Sequence, residues 1–228
     1  MTLPAEDLAT RVRQRFADRV AHCVVALGQV AVELAPERLR DVCYALRDEP
    51  EFSFEQLIDV CGVDYSSYGA AEWLTNEAST AGFSRGVSDA TAQRTDRPRY
   101  AVVYHLLSLR HNQRLRLRVY APGDPPCVPS VIEIWRSADW FEREAFDLFG
   151  VLFDGHPDLR RLLTDYGFIG HPFRKDFPLE GNVEVRYDPD QGRVVYQPVT
   201  IENRVLVPRV IRPDYPLPRA AADKGAKA

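Results

Sequence analysis

Strict alternation over residues 114–120, RLRLRVY, is the strongest constraint on the fold of this chain. Successive side chains of a strand point to opposite faces, so Leu115, Leu117 and Val119 share one face and three arginines share the other. The preceding run 99–109, RYAVVYHLLSL, is almost continuously apolar, as a well-covered strand would be, and RHNQ between the two predicts a turn. The sequence therefore predicts two antiparallel strands whose leucine face lies in the core.

The chain before this pair predicts the other elements of the same fold. The apolar spacing predicts a helix over 6–18, strands over 20–27 and 30–35, a helix from Pro36 to about Arg47, and either a strand or a short helix leading into one over 54–63. Short turns between neighbouring strands imply antiparallel pairing. We therefore expect an α+β two-layer sandwich, a mostly antiparallel sheet with helices on one face.

Two helices are predicted after the central strands. Ser130 followed by Glu133 matches a capping box, so a short helix should begin there. A second helix opens at about Trp140, and Gly150 stands where a helix C-cap would.

The segment after Gly150 is long, irregular and rich in aromatic residues. It contains two Gly-His-Pro triplets, at 155–157 and 170–172. Long segments without periodicity are usually functional or disordered, and the aromatic content argues against disorder. We therefore expect an ordered arm whose rings are buried either against this domain or against a neighbouring protein.

These patterns suggest two regions. Residues 1–150 form an α+β core domain that includes a variable insertion at 64–98. Residues 151–228 form an extended partner-binding arm, with a hairpin made by VEVRYD and RVVYQPV and a disordered tail at its end.

Composition narrows the class of protein. The formal net charge of −4 disfavours nucleic acid as a partner. No apolar run reaches the roughly 20 residues of a membrane helix, and the first residues lack a signal-peptide core, so we expect a cytoplasmic location. The four cysteines form no CxxC pair, which is typical of buried, reduced thiols and not of a metal site.

No self-contained catalytic constellation is evident. His156, His171 and Asp158 could in principle support a metal-assisted hydrolase, but the two histidines are far apart in sequence and lack a typical ligand spacing. Phosphate-binding glycine loops and nucleophile elbows are absent. The arginine face of 114–120 is either a solvated face or a partner-binding face.

Mixed charge interleaved with aromatic residues is more typical of a protein interface than of a polyanion site. The candidate partner-contact residues are Glu142, Arg143, Asp147, His156, Asp158, Arg160, Arg161, Asp165, Tyr166, His171, Arg174, Lys175 and Asp176. Four of them are expected either to contact the partner or to brace the arm: Arg160, Arg161, Arg174 and Asp176.

The run from Glu142 to Gly181, EREAFDLFGVLFDGHPDLRRLLTDYGFIGHPFRKDFPLEG, closely resembles the signature of a known family. The family is the C-type, 30-kilodalton subunit of proton-pumping NADH:quinone oxidoreductase, respiratory complex I. The resemblance extends to VEVRYD and to the two central strands, and covers most of residues 20–200.

This resemblance implies a non-catalytic structural or assembly subunit of the hydrophilic arm of that complex, which couples NADH oxidation and quinone reduction to proton translocation. It implies a peripheral position on the cytoplasmic side of the bacterial inner membrane, with membrane contact only through the complex. It implies no cofactor in this chain, since FMN, iron–sulfur clusters and quinone lie on other subunits. The expected partners are the large quinone-module (D) subunit and the cluster-bearing (B) subunit. The alternatives are the equivalent subunit of a membrane-bound hydrogenase or ferredoxin-linked complex and, third, the hydrolase.

Overall fold

The structure, a computed structural model, describes residues 5–66, 68 and 98–201. Its regular elements are helix α1 (Ala5–Arg15), strands β1 (Val20–Ala26) and β2 (Gln29–Leu34), a short 3-10 helix (Pro36–Arg38), helix α2 (Leu39–Asp48), strands β3 (Gln56–Asp64), β4 (Tyr100–Ser108), β5 (Gln113–Ala121) and β6 (Cys127–Pro129), helix α3 (Ala138–Phe149), and strands β7 (Leu152–Asp154), β8 (Val183–Asp188) and β9 (Arg193–Pro198). Among the helices described, none has the length and apolar character needed to cross a membrane.

Five strands form the main sheet in the order β1-β2-β5-β4-β3. The β1–β2 and β4–β5 pairs are antiparallel, as their short connections predict, and the β3–β4 pair is antiparallel as well. Strands β2 and β5 are parallel neighbours, because the chain crosses through α2, β3 and β4 before β5 returns beside β2. The sheet is therefore mostly antiparallel, as expected.

One hydrophobic core lies between this sheet and the helices. Leu115, Leu117 and Val119 are at most 2% exposed, which confirms the leucine face predicted for β5. Helices α1, α2 and α3 all contribute buried residues to the same cluster as this face. The opposite face of the sheet is covered by no helix among the described residues. This arrangement confirms the predicted α+β sandwich.

The segment 54–63, expected as either a strand or a short helix leading into one, forms strand β3. Two other local features differ from expectation. The helix predicted from Ser130 is absent, and the chain makes turns until α3 begins at Ala138. A capping box would pair the Ser130 amide with the Glu133 carboxylate, but that amide donates to the Asp154 carbonyl. The Ser130 hydroxyl accepts from the Ile132 amide and donates to Glu142 of α3. Strands β6 and β7, which form a short parallel pair, were not predicted.

The chain divides into two compact units, Met1–Pro178 and Leu179–Ala228. This boundary differs from the expected division at residue 150, since the first part of the predicted arm belongs to the first unit. We call residues 151–178 the proximal arm. The predicted hairpin is confirmed as β8 and β9 in the second unit. Most of the predicted 64–98 insertion and the predicted disordered tail lie outside the described residues.

Candidate functional site: the proximal arm on helix α3

Helix α3 ends where the proximal arm begins. Gly150 adopts a left-handed conformation, with φ of 73°, and its amide donates to the Phe146 carbonyl. This is the C-cap geometry that favours glycine, as predicted. A side chain here would also meet the arm, because an added Cβ would lie 2.6 Å from Nε2 of His171. The turn at Gly150 therefore brings the arm back over the end of its own helix.

Asp147 holds the arm in place by accepting hydrogen bonds from three consecutive arm amides. Its buried carboxylate accepts from the backbone N–H groups of Leu162, Leu163 and Thr164 at 2.8–3.0 Å, and from the Thr164 hydroxyl. Arg161 adds an ion pair at 2.9 Å. Burial alone would raise the pKa of Asp147, but these hydrogen bonds outweigh burial and lower it to about 2. The carboxylate replaces the regular backbone pairing that this irregular segment lacks.

The arm also satisfies carbonyl groups at the C-terminus of α3, which have no partner within the helix. Three arm groups donate to three successive carbonyls: His171 Nδ1 to Asp147 at 2.9 Å, the Phe173 amide to Leu148 at 3.0 Å, and Arg174 Nε to Phe149 at 2.7 Å. His171 and Arg174 thus brace the arm, one of the two roles expected for Arg174.

A second carboxylate, Asp64 at the end of β3, secures the far end of the proximal arm. It accepts two hydrogen bonds from Arg99, at 2.9 and 2.7 Å, and one from the Lys175 amide at 2.9 Å. Arg99 also pairs with Asp176 at 3.1 Å. Although burial opposes ionisation, the bonds from Arg99, Lys175 and Ser66 hold the pKa of Asp64 well below its usual range.

Sequence reasoning missed Asp64 and Arg99. The available signal was their position at the two ends of the predicted 64–98 insertion, since Asp64 is the last residue of β3 and Arg99 immediately precedes β4. The register of β3 and β4 brings the two residues together, because Asp64 lies opposite Tyr100, the residue after Arg99.

Glu142, in the first half of α3, is a third buried carboxyl. Its oxygens accept from the Ser130 hydroxyl at 2.6 Å and the Val131 amide at 2.7 Å. Burial raises the pKa of Glu142 to about 7, although these two bonds act in the other direction. Glu142 therefore joins α3 to the segment that follows β6.

Partner contact was expected of Glu142 and Asp147, and the structure requires a correction for both. Each side chain is 0% exposed and bonds groups of its own chain. Their spacing within an amphipathic helix gave no means of distinguishing a buried carboxylate from a surface one.

The two histidines of the Gly-His-Pro triplets serve different contacts. His156 donates from Nε2 to the Asp139 carbonyl at 3.2 Å and accepts from the Asp158 amide at Nδ1. His171 instead bonds the end of α3, as described above. In the part of the chain that the structure describes, no group of three or more histidine, cysteine or acidic residues could hold a metal ion.

The other predicted residues divide into bracing and exposed groups. Arg143 donates to the Arg160 and Arg161 carbonyls, at 3.1 and 3.4 Å, and so braces the arm. Asp158 and Arg160 form an exposed ion pair at 2.8 Å. The side chains that lie exposed are those of Asp165, Tyr166, Lys175 and Asp176.

The aromatic and aliphatic side chains of the arm likewise divide into a buried group and an exposed group. Phe153 is buried, and Phe168 stacks on Phe177 with ring centroids 5.7 Å apart. In contrast, four large apolar side chains are 57–104% exposed: Leu163, Tyr166, Ile169 and Phe173. We call these four residues the apolar edge. The arm thus covers part of its own apolar surface and presents the remainder on a backbone that is held in place.

The hairpin of the second unit has one apolar face. Register pairs Val185 with Tyr196 and Tyr187 with Val194, so these four side chains share a face. They are 54–70% exposed. A two-stranded hairpin is marginal in water by itself, so this face is a further candidate for protein contact.

Gly150→Ala tests the close approach of the arm to α3. We expect the free energy of unfolding to fall by about 1–2 kcal/mol, because alanine is strained at this φ and its methyl group displaces His171. Gly28→Ala is a matched control, since Gly28 has nearly the same φ, 74°, with no atom within 4 Å of an added Cβ. Urea unfolding of both variants measures the difference, and equal losses would contradict the contact.

Comparisons with known proteins agree with this architecture. The sequence model of a family described as the respiratory-chain NADH dehydrogenase 30 Kd subunit matches residues 32–183. A protein of Coxiella burnetii, named as the C subunit of NADH-quinone oxidoreductase, is 59% identical over 212 residues, covering 92% of this chain and 93% of that protein. A protein of the same name from Hydrogenovibrio crunogenus is 55% identical over 215 residues, covering 91% and 95%.

A solved archaeal respiratory membrane complex, the membrane-bound sulfane sulfur reductase, contains a chain of the same fold. Its identity is 19% and its TM-score 0.54, with 76% of this chain and 85% of that chain covered. At this identity the similarity concerns the fold alone. The family match and the extensive identity to the two bacterial proteins place this chain in the family of the 30 kDa subunit of respiratory-chain NADH dehydrogenase.

Proposed function

We propose that this chain is a non-catalytic structural subunit of the hydrophilic arm of NADH-quinone oxidoreductase. The observation that carries the proposal is the apolar edge, large side chains exposed on an arm whose backbone is fixed by buried carboxylates. Exposed apolar residues on a pre-ordered segment suit a permanent protein interface, because little conformational entropy is lost on binding. The names of relatives that are 55–59% identical over nearly their full length favour the respiratory complex over a hydrogenase-type one.

We propose that the apolar edge binds the large quinone-module (D) subunit and lies near the cluster-bearing (B) subunit. Tyr166, Ile169 and Phe173 act as the anchors, and Asp165 and Lys175 form a polar rim around them. The apolar face of the hairpin offers a second contact of the same kind.

We propose further that the chain carries no cofactor and no catalytic residue of its own. FMN, iron–sulfur clusters and quinone belong to other subunits, and proton translocation is a property of the assembled translocase. The chain is then peripheral, on the cytoplasmic side of the inner membrane. Its buried carboxylates already have partners within the chain, which supports a structural use for them.

Substituting the apolar edge tests this function. In cells that carry only a tagged copy of this chain, Tyr166→Asp with Ile169→Asp should reduce the co-purified quinone-module and cluster-bearing subunits by about tenfold or more, because interface anchors contribute most of the binding free energy. NADH-quinone oxidoreductase activity of the membranes should fall in parallel. Leu27→Asp is the control, since Leu27 is likewise a large, exposed apolar residue but lies in the β1–β2 turn.

Two results would contradict the proposal. The first is a wild-type chain that purifies without other subunits of the complex. The second is stoichiometric metal, flavin or NADH bound to the purified chain, which would revive an independent enzymatic role.

A further inference from the structure

The face of the main sheet that lies opposite the helices carries a row of arginines. Arg114, Arg116 and Arg118 project from β5, the central strand. The residues beside Arg116 on the neighbouring strands are the small Ala31 on β2 and the half-buried His105 on β4. The guanidinium groups therefore stand over the middle of this face.

These three arginines have no ion-pair partner in the described part of the chain. Arg116 donates to the Gln29 amide oxygen at 2.9 Å, and Arg118 lies 3.4 Å from the Tyr120 hydroxyl. Glu33 lies opposite Arg118 in register, yet neither it nor any other described carboxylate is within 4.0 Å of the row. In contrast, the arginines at 99, 160 and 161 are each paired with an aspartate.

One donor of the row is also buried without an acceptor. The Nε of Arg116 is inaccessible to solvent and has no hydrogen-bond partner among the described residues. A buried, unsatisfied donor on a charged group is costly, so an acceptor from outside this part of the chain would stabilise it.

Arg116 is also one of the residues that line a groove of ≈ 310 Å³. Arg114, Arg116 and Gln29 line it on the β5 and β2 side, with His105 in the middle and Asp59 on the β3 side. Asp59 repels a carboxylate, which confines an acidic side chain to the arginine side of the groove. The groove thus fits a chain segment that carries carboxylates along one edge.

We propose that this sheet face is a further docking surface, which binds a segment of another NADH-quinone oxidoreductase subunit through its aspartate or glutamate side chains. Arginine forms bidentate bonds with carboxylates, and charge complementarity of this kind selects one partner and one orientation. The inference rests on the proposed function, and it names a surface distinct from the apolar edge.

Charge reversal tests the surface in the assembled complex. Arg114→Glu with Arg116→Glu, in the tagged chain, should reduce the recovery of at least one other subunit by about tenfold, since like charges then face each other at the contact. Arg110→Glu is the control, because Arg110 is exposed in the β4–β5 turn and has no pairing among the described residues. Arg114→Gln with Arg116→Gln removes the charge with less disturbance to folding and should give a smaller loss. Recovery equal to that of wild type for both double variants overturns the inference.

Photocrosslinking tests the same surface with the arginines intact. A photoreactive amino acid at Ile58, on the groove rim, should crosslink another subunit at a segment that contains aspartate or glutamate, whereas the same group at Leu27 should not. Crosslinks to residues 69–97 of this chain, to a basic segment, or to no protein overturn the inference. If the wild-type chain purifies without any other subunit, the proposed function itself fails, which distinguishes the two failures.

Discussion

Replacing Asp147 with alanine is expected to lower the free energy of unfolding by about 3–5 kcal/mol, the usual effect of removing one member of a buried ion pair. The substitution leaves three arm amides, the Thr164 hydroxyl and Arg161 without their common acceptor. Because these donors lie on the arm, the first effect should be local opening of the segment and not collapse of the sheet. The variant should therefore also fail to present the apolar edge and lose co-purified subunits.

Hydrogen exchange separates the local effect from a global one. The amides of Leu162, Leu163 and Thr164 should exchange freely in the variant, while those of β4 remain protected, with protection reduced by no more than the loss in the free energy of global unfolding. Asp158→Ala is the matched control, since Asp158 lies in the same segment but its ion pair with Arg160 is exposed. An exposed pair contributes at most about 1 kcal/mol, so this variant should retain arm protection. Retained protection at Leu162–Thr164 in Asp147→Ala would contradict the anchoring role.

The parts of the fold that depend on periodicity could be predicted from sequence. Alternation in β5 determined its buried face, and apolar spacing located α1, α2 and α3 within a few residues. The C-cap at Gly150 was also predictable, because the left-handed conformation that favours glycine is a local property of the backbone.

The bracing of the arm could not be predicted, because it joins residues that are distant in sequence without any repeating pattern. Asp64 reaches the amide of Lys175, and Asp147 reaches amides more than a dozen positions away. Hydrogen bonds from a side chain to a distant backbone amide produce no pattern in the sequence, which shows only isolated charged residues. The sequence therefore indicated that the arm was ordered and charged but not which carboxylates were internal.

The hydrogen bonds that Ser130 donates could not be predicted either, because they also join residues that are distant in sequence. Its spacing to Glu133 matched a capping box, yet its amide donates to the Asp154 carbonyl and its hydroxyl donates to Glu142 of α3. Tertiary contact overrode a local signal in this case, and the predicted helix is replaced by turns. Glu142 is consequently a buried acid with no cation within ion-pair distance in the described residues, which makes its ionisation unfavourable.

Glu142→Gln should therefore change how stability depends on pH. The pKa of Glu142 is about 7 in the folded chain, compared with an ordinary value of 4.5. Between these two values the folded state holds a proton that the unfolded state has released, so the free energy of unfolding of the wild type falls as pH rises and levels off above about pH 7. The total loss is on the order of 3 kcal/mol, and glutamine, which is always neutral, does not incur it.

Urea unfolding from about pH 5 to about pH 8 measures this difference. Relative to wild type, Glu142→Gln should gain stability progressively across the range, while Glu133→Gln, an exposed glutamate near α3, should follow the wild-type profile. Asp64 and Asp147 do not interfere, because their lowered pKa values affect stability below about pH 4, where it falls with falling pH. Parallel profiles for wild type and Glu142→Gln would show that Glu142 is ionised in the folded chain at neutral pH, and that Ser130, Val131 and the nearby Arg40 compensate for its burial.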